Sequence, residues 1–232
     1  MINYLFLWYN LIGDNMNCIE KCEQLINLGV KIVDINHTYI DDNVIIDEGT
    51  IIYPNVAIRG NTKIGKNNII DMNTIIIDSK IGNNNKIIFS YIENSEIGND
   101  NNIGPFSHLE KNAIITNNVV IGNYVEVKNS IIGEESKAKH LSYIGDANLG
   151  KKVNVGAGTI FANYNSKTKE KNKIKIEDNV SIGSNSVLIA PVTLKKSSFI
   201  AAGSTITNNV EEHSLGIARS RQVNKPNFIE KE

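Results

Sequence analysis

The sequence predicts an all-β fold, a parallel β-helix of hexapeptide repeats with three-sided coils. Three observations carry this. Aliphatic residues recur every six positions in long runs: Ile40, Ile46, Ile52, Ile58 and Ile64; Ile97, Ile103, Leu109, Ile115, Ile121 and Val127; Ile176, Ile182, Leu188, Leu194, Ile200 and Ile206. A six-residue period suits neither a helix nor a simple amphipathic strand; it suits a prism in which each flat side holds one short strand and one corner. Glycine, Asn or Asp tends to follow or close the corner, as in the Ile-Gly pairs at 64–65, 81–82, 97–98, 103–104, 121–122 and 182–183, where the backbone must turn tightly. Aromatic residues make up only 6% of the chain, whereas Ile, Val and Asn abound.

Taken in order, residues 1–35 form an N-terminal segment. It opens with the apolar stretch MINYLFLWYNLIG, which lacks a basic start and a small-residue cleavage site and is too short to span a bilayer, so packing against the protein is expected. From Asn15 to Gly29, Ile19, Cys22, Leu25, Ile26 and Leu28 fall near helical spacing, with Gly29 as the stop. Residues 36–210 are the repeat domain. Its ladder slips at 64→81, at 127→132 and around 138–149, where shortened steps are expected. A polar, basic stretch, NSKTKEKNK, falls in an inserted loop at 164–175, and residues 211–232 form a tail.

A net charge of −1 gives no electrostatic footprint for nucleic acid. The two cysteines, Cys18 and Cys22, stand four apart on the predicted helix and form no disulfide framework, so a structural role is expected. With no signal peptide and no spanning segment, a cytoplasmic protein without membrane insertion is expected.

The monotony breaks at 140–164, HLSYIGDANLGKKVNVGAGTIFANY, which carries His140, Tyr143, Asn154 and a Gly-Ala-Gly turn. A neutral imidazole can take a proton from an ammonium group near neutral pH, which makes His140 the candidate base. This stretch, with APVTL, AAGSTIT and IARSRQVNK, resembles the C-terminal half of the bacterial bifunctional N-acetylglucosamine-1-phosphate uridyltransferase/glucosamine-1-phosphate N-acetyltransferase family. The resemblance runs from about Val30 to about Phe228 and does not include the uridyltransferase half.

The resemblance implies a left-handed coil, against the usual crossover hand, and an acetyl-CoA-dependent amino-sugar N-acetyltransferase. It implies His140 as general base and Glu126 as the carboxylate orienting it. Lys128, Tyr143 and Asn154 match contacts to the sugar phosphate. Ala157, Asn163, Tyr164, Ser184, Ala202 and Arg219 match contacts to acetyl-CoA. It also implies a homotrimer with sites between subunits, the 164–175 loop reaching a neighbour. Two departures stand out. Glu110 occupies the place of a phosphate-binding arginine, and Asn129 that of another basic residue. The loop is two residues longer than the family's, leaving Lys169 and Lys171 as alternatives for a family lysine. Glucosamine 1-phosphate is the default acceptor; an unphosphorylated amino sugar or other small amine, and a non-catalytic trimeric solenoid, are the alternatives. A zinc hydratase on the same prism would need three converging histidines, and His37, His108, His140 and His213 do not recur at matching positions, so no metal is expected.

Overall fold

The computed structural model describes residues 18–226 and 228, so the opening apolar stretch lies outside the described residues. The chain winds into a parallel β-helix with three faces. On the first face the strand pairs Ile51–Ile52, Ile69–Ile70, Lys86–Ile87, Asn102–Ile103 and Val120–Ile121 lie in register, each one coil after the last. The second face stacks Val56–Arg59, Ile75–Ile77, Tyr91–Glu93, His108–Glu110 and the end of Val120–Lys128. The third stacks Ile45–Ile46, Lys63–Ile64, Lys80–Ile81, Glu96–Ile97, Ile114–Ile115 and Ile131–Ile132. Two nine-residue strands, Val120–Lys128 and Lys137–Gly145, run from the first face around a corner to the second.

Every aliphatic residue of the three runs of six-residue period is buried. Each stacks on its counterpart one coil away, so a single apolar column fills the prism. Two positions earlier in the repeat, the inward slot holds a smaller residue, such as Thr50, Asn68, Asn85 and Asn101. These asparagines form a ladder: the Asn85 backbone N–H donates to Asn68 Oδ1 at 2.8 Å and that of Asn101 to Asn85 Oδ1 at 2.9 Å. Polar side chains thus replace the hydrogen bonds that corner backbone groups cannot make to a strand. The slips found in the sequence are one-residue shortenings of a coil: Ile64 pairs with Ile81, seventeen residues on, whereas Ile46 pairs with Ile64 after eighteen.

Residues 18–27 are helical. The helix ends where the sequence places its stop. Gly29 has φ +92°, its N–H donates to Ile26 O at 3.0 Å, and the Val30 N–H donates to Leu25 O at 3.1 Å. That is a Schellman cap, with buried Leu25 and Val30 both in the apolar core. Cys22 is buried on the helix face turned to the coil, and its thiol is pushed up to about 11 by burial and then by Cys18, which leaves it inert.

The solenoid is longer than the sequence boundaries suggest. Lys31–Ile32 already pairs with Ile51–Ile52, and Leu215–Gly216 still pairs with Phe199–Ile200. The polar insert is a two-stranded hairpin, Tyr164–Asn165 with Glu170–Lys171. No helix among the described residues is long and apolar enough to cross a membrane.

Candidate active site

The corner between the first and second faces carries the candidate base, His140. At each coil one residue there takes a left-handed backbone, and the residue before it points outward. In order these outward residues are Asn123, His140, Ala157, Ser184 and Ala202, linked by the Asn123–His140 register and by corner hydrogen bonds from Gly158 to Leu141, Asn185 to Ala157 and Gly203 to Ser184. A Cβ placed on Gly203 would lie 3.8 Å from Arg219 Cδ, which puts Arg219 at the end of the same file. Coils are spaced about 4.8 Å apart, so the file from His140 to Ala202 is about 14 Å long. His140 is exposed. Its Nδ1 lies 2.9 Å from Asn123 Oδ1. An amide oxygen only accepts, so Nδ1 carries the proton and Nε2 presents its lone pair outward.

Within one chain Glu126 stands apart from His140, in register with His108 and Tyr143 on the second face. The reason is local: Tyr124, at φ +56°, turns the chain between Asn123 and Glu126, so the two lie on different sides of the corner. Asn123 escapes a sequence reading because an asparagine before a corner looks like any other turn residue.

The second face brings Glu110, Lys128 and Tyr143 together. Glu110 lies in register with Lys128, whose Nζ contacts Glu110 Oε1; their side chains are 9% and 19% exposed. Burial works to raise the Glu110 carboxyl, but the hydrogen bond and charge of Lys128, aided by His108 and Lys111, outweigh it and hold Glu110 below the usual glutamate range. The Glu110 hydrogen bond, opposed by burial, raises Lys128 above the usual lysine value. Glu93, His108 and Glu110 each offer an atom within 4.8 Å of the others. Tyr143 is pushed up, first by burial, against the hydrogen bond from Asn163.

At the far edge of this face, buried Asp146 accepts from Asn129 Nδ2 at 2.5 Å and from Asn163 Nδ2, while Lys171 of the hairpin approaches it at 3.8 Å. Of the two loop lysines, Lys171 is therefore the one turned onto this face. Gly145 is needed here, since a Cβ would come within 2.4 Å of Tyr143 Oη and 2.7 Å of Asn163 Nδ2. Asp146 was legible only as part of the HLSYIGD match.

One chain does not gather all the expected residues. Asn154 lies on the first face, in register with Lys137 and Ser181. Asn163 and Tyr164 follow Ile160–Ala162, across the width of the second face from Ala157. At no more than about 3.3 Å per residue, that separation is at most about 20 Å. Next to His140 the corner carries an exposed ridge, Phe89, Phe106, Tyr124 and Leu141, all at φ between +40° and +59°. Its rings contact one another, Phe89–Phe106 at 4.6 Å and Phe106–Tyr124 at 5.3 Å between centroids. Bulky residues rarely adopt this backbone, and such strain gathers at functional sites.

Comparison with known proteins bears on the fold. The family model described as "Bacterial transferase hexapeptide (six repeats)" matches residues 173–208, and "GMPPB C-terminal domain" matches 35–119. A solved UDP-N-acetylglucosamine acyltransferase from Francisella novicida superposes with a TM-score of 0.55 at 18% identity, covering 81% of this chain and 66% of that one. Fold and repeat define the class: a left-handed parallel β-helix of hexapeptide repeats. Within it, the chain is 50% identical over 203 residues to the bifunctional protein GlmU of Clostridioides difficile (strain 630), covering 88% of this chain and 44% of that protein. It is likewise 50% identical over 207 residues to GlmU of Thermosipho melanesiensis, covering 89% and 46%. The chain spans about half the length of the curated relatives it matches, and it resembles their C-terminal acetyltransferase half.

Proposed function

We propose that this chain is an acetyl-CoA-dependent N-acetyltransferase acting on an amino sugar, with His140 as general base, and that it works as a homotrimer. The file from His140 to Arg219 supports this reading most directly. Small residues at Ala157, Ser184 and Ala202 leave an open track for the pantetheine arm, and the Arg219 fork suits the coenzyme's phosphates.

Chemistry follows from the tautomer. Nε2 of His140 takes a proton from the acceptor amine as its nitrogen attacks the thioester carbonyl. Asn123 Oδ1 holds the ring by accepting from Nδ1–H. Among the described residues the Ala157 N–H, one coil from His140, has no hydrogen-bond partner; it is the donor best placed for the tetrahedral oxyanion. Collapse breaks the C–S bond, and the thiolate leaves with the proton from the imidazolium.

The split of Asn154, Asn163 and Tyr164 away from the corner file supports assembly. Stacking copies so that the exposed ridge beside His140 is covered would bring one chain's file against another chain's hairpin edge. Thermal denaturation with acetyl-CoA and a thiol-release assay with amino sugars test the reading. Acetyl-CoA should raise the melting temperature, and thiol release should require an amine. A scaffold would show neither.

A further inference from the structure

The polar insert must be seated on a prism that is otherwise regular. The coil that carries it runs twenty-seven residues, Asn148 to Lys175, where the coil before it takes seventeen, Ile131 to Asn148. The chain leaves the prism after Ile160–Ala162 and returns in register at Ile174–Ile176. We infer that Asp146 is the positioning residue for this insert, a clasp that holds both of its ends and so sets the Asn163–Tyr164 edge; this rests on the proposed N-acetyl transfer.

Both ends meet Asp146 within one chain, so the clasp is complete before copies assemble. At the exit its Oδ2 accepts from Asn163 Nδ2, and at the return its backbone O accepts from the Ile174 N–H at 3.1 Å. Between them the Asn172 N–H donates to Asn163 O at 2.9 Å and Tyr164 pairs with Lys171, which closes the hairpin base. Asp146 is also tied to the preceding coil. Its N–H donates to Lys128 O at 3.1 Å, and its Oδ1 accepts from Asn129 Nδ2 at 2.5 Å. Asp146 is 5% exposed. A carboxylate so deep is costly unless donors meet it, and here each oxygen has an amide donor. A buried polar network with its members satisfied fixes one arrangement. Lys171 adds charge from 3.8 Å, but half its side chain is exposed, so the two amides carry the clasp. Asn163 is 6% exposed, its amide spent inward, while Tyr164 beside it is 55% exposed. What the edge presents outward is therefore Tyr164, at a place set by Asp146.

The test uses intact wild type, Asp146→Gly and Asp146→Asn. Asp146 sits at φ +49°. Glycine keeps that left-handed turn and removes the carboxylate; asparagine keeps the turn and one acceptor oxygen. Amide hydrogen exchange reads the clasp without turnover. In Asp146→Gly the Asn172 and Ile174 amides should exchange about tenfold faster than in wild type, or more, while the Gly158 and Asn185 amides at the His140 corner keep their rates. Asp146→Asn should show a smaller increase at the same two amides, which keeps the test open if the glycine variant does not fold. Co-expressed pairs read the consequence for the site. Asp146→Gly should regain thiol release in assemblies with a His140→Ala chain, which supplies an intact edge, and not with an Asn163→Ala, Tyr164→Ala chain. Unchanged exchange at Asn172 and Ile174, or faster exchange spread evenly over the coils, would overturn the inference. So would release regained with the Asn163→Ala, Tyr164→Ala chain, since Asp146 would then serve the His140 file, or release regained with neither partner. A wild type that binds no acetyl-CoA and releases no thiol would instead count against the N-acetyltransferase reading, because the exchange arm stands without it.

Discussion

The third face and the corner between the first and second faces are built from the same repeat and put it to opposite uses. On the third face the inward column is almost wholly isoleucine, from Ile46 through Ile64, Ile81, Ile97 and Ile115 to Ile132. Its outward residues are solvated; Lys80 and Glu96 pair across one coil at 2.8 Å with side chains 70% and 56% exposed. At the corner the outward column changes identity at every coil, from Asn123 to His140 to Ala157 to Ser184. Beside it, Glu110 and Lys128 pair across one coil as Lys80 and Glu96 do, but out of water. In a solenoid the inward slots carry stability and the outward slots are free to differ, so chemistry collects in an outward file without disturbing the stack.

Substitution on the two regions should therefore separate activity from stability. The largest effect belongs to His140→Ala, which should lower acetyl transfer by about 10²–10⁴-fold while leaving the melting temperature and acetyl-CoA binding close to wild type. Steady-state thiol release and calorimetry on one preparation check this. Ile64→Ala on the third face should do the reverse. Emptying a fully enclosed slot costs about 2–5 kcal/mol of stability, read by denaturant unfolding, with turnover per folded chain unchanged.

The two cross-coil ion pairs sharpen the comparison. Glu110 is held low, so its contribution is present above the ordinary carboxylate range and is lost as pH falls through its lowered value. Lys128 is held high, so its contribution is present below the ordinary lysine value and is lost as pH rises through its raised one. Glu110→Gln should cost about 1–3 kcal/mol between roughly pH 5 and pH 10, with the difference from wild type vanishing at both ends. Unfolding across pH measures it. The same protocol on Glu96→Gln should show no resolvable change at any pH, since both partners sit in water and salt screens them.

The inward half of this architecture was open to a sequence reader. Ile40 through Ile206 mark the buried column because one enclosed slot per six residues tolerates little else. The ends were not, for a definite reason. Gly216 fills the last inward slot with no side chain, so the aliphatic signal stops at Ile206 while backbone pairing continues. At the start, Ile32 stands eight residues before Ile40 because the turn Ile35–His37 intervenes, which hides the first coil from a six-residue count. In the site, His140 was visible through its motif. Its partner Asn123 was hidden, since which outward residues touch depends on coil length, which varies from sixteen residues at Lys86↔Asn102 to twenty-seven at Asn154↔Ser181. The burial of the Glu110–Lys128 pair was hidden for the same reason: two polar residues eighteen apart give no sign of how deeply they sit.

In the proposed trimer each chain carries two half-sites, the His140 file and the Asn163–Tyr164 edge, that close only between copies. Mixed oligomers test it most directly. A His140→Ala chain and an Asn163→Ala, Tyr164→Ala chain are co-expressed under two tags, and assemblies holding both are isolated and assayed for thiol release. Mixed assemblies should show acetyl transfer that neither variant shows alone, because one interface then pairs an intact file with an intact edge. Mixed assemblies as inactive as their parents, or an active chain that stays monomeric by light scattering, would contradict it.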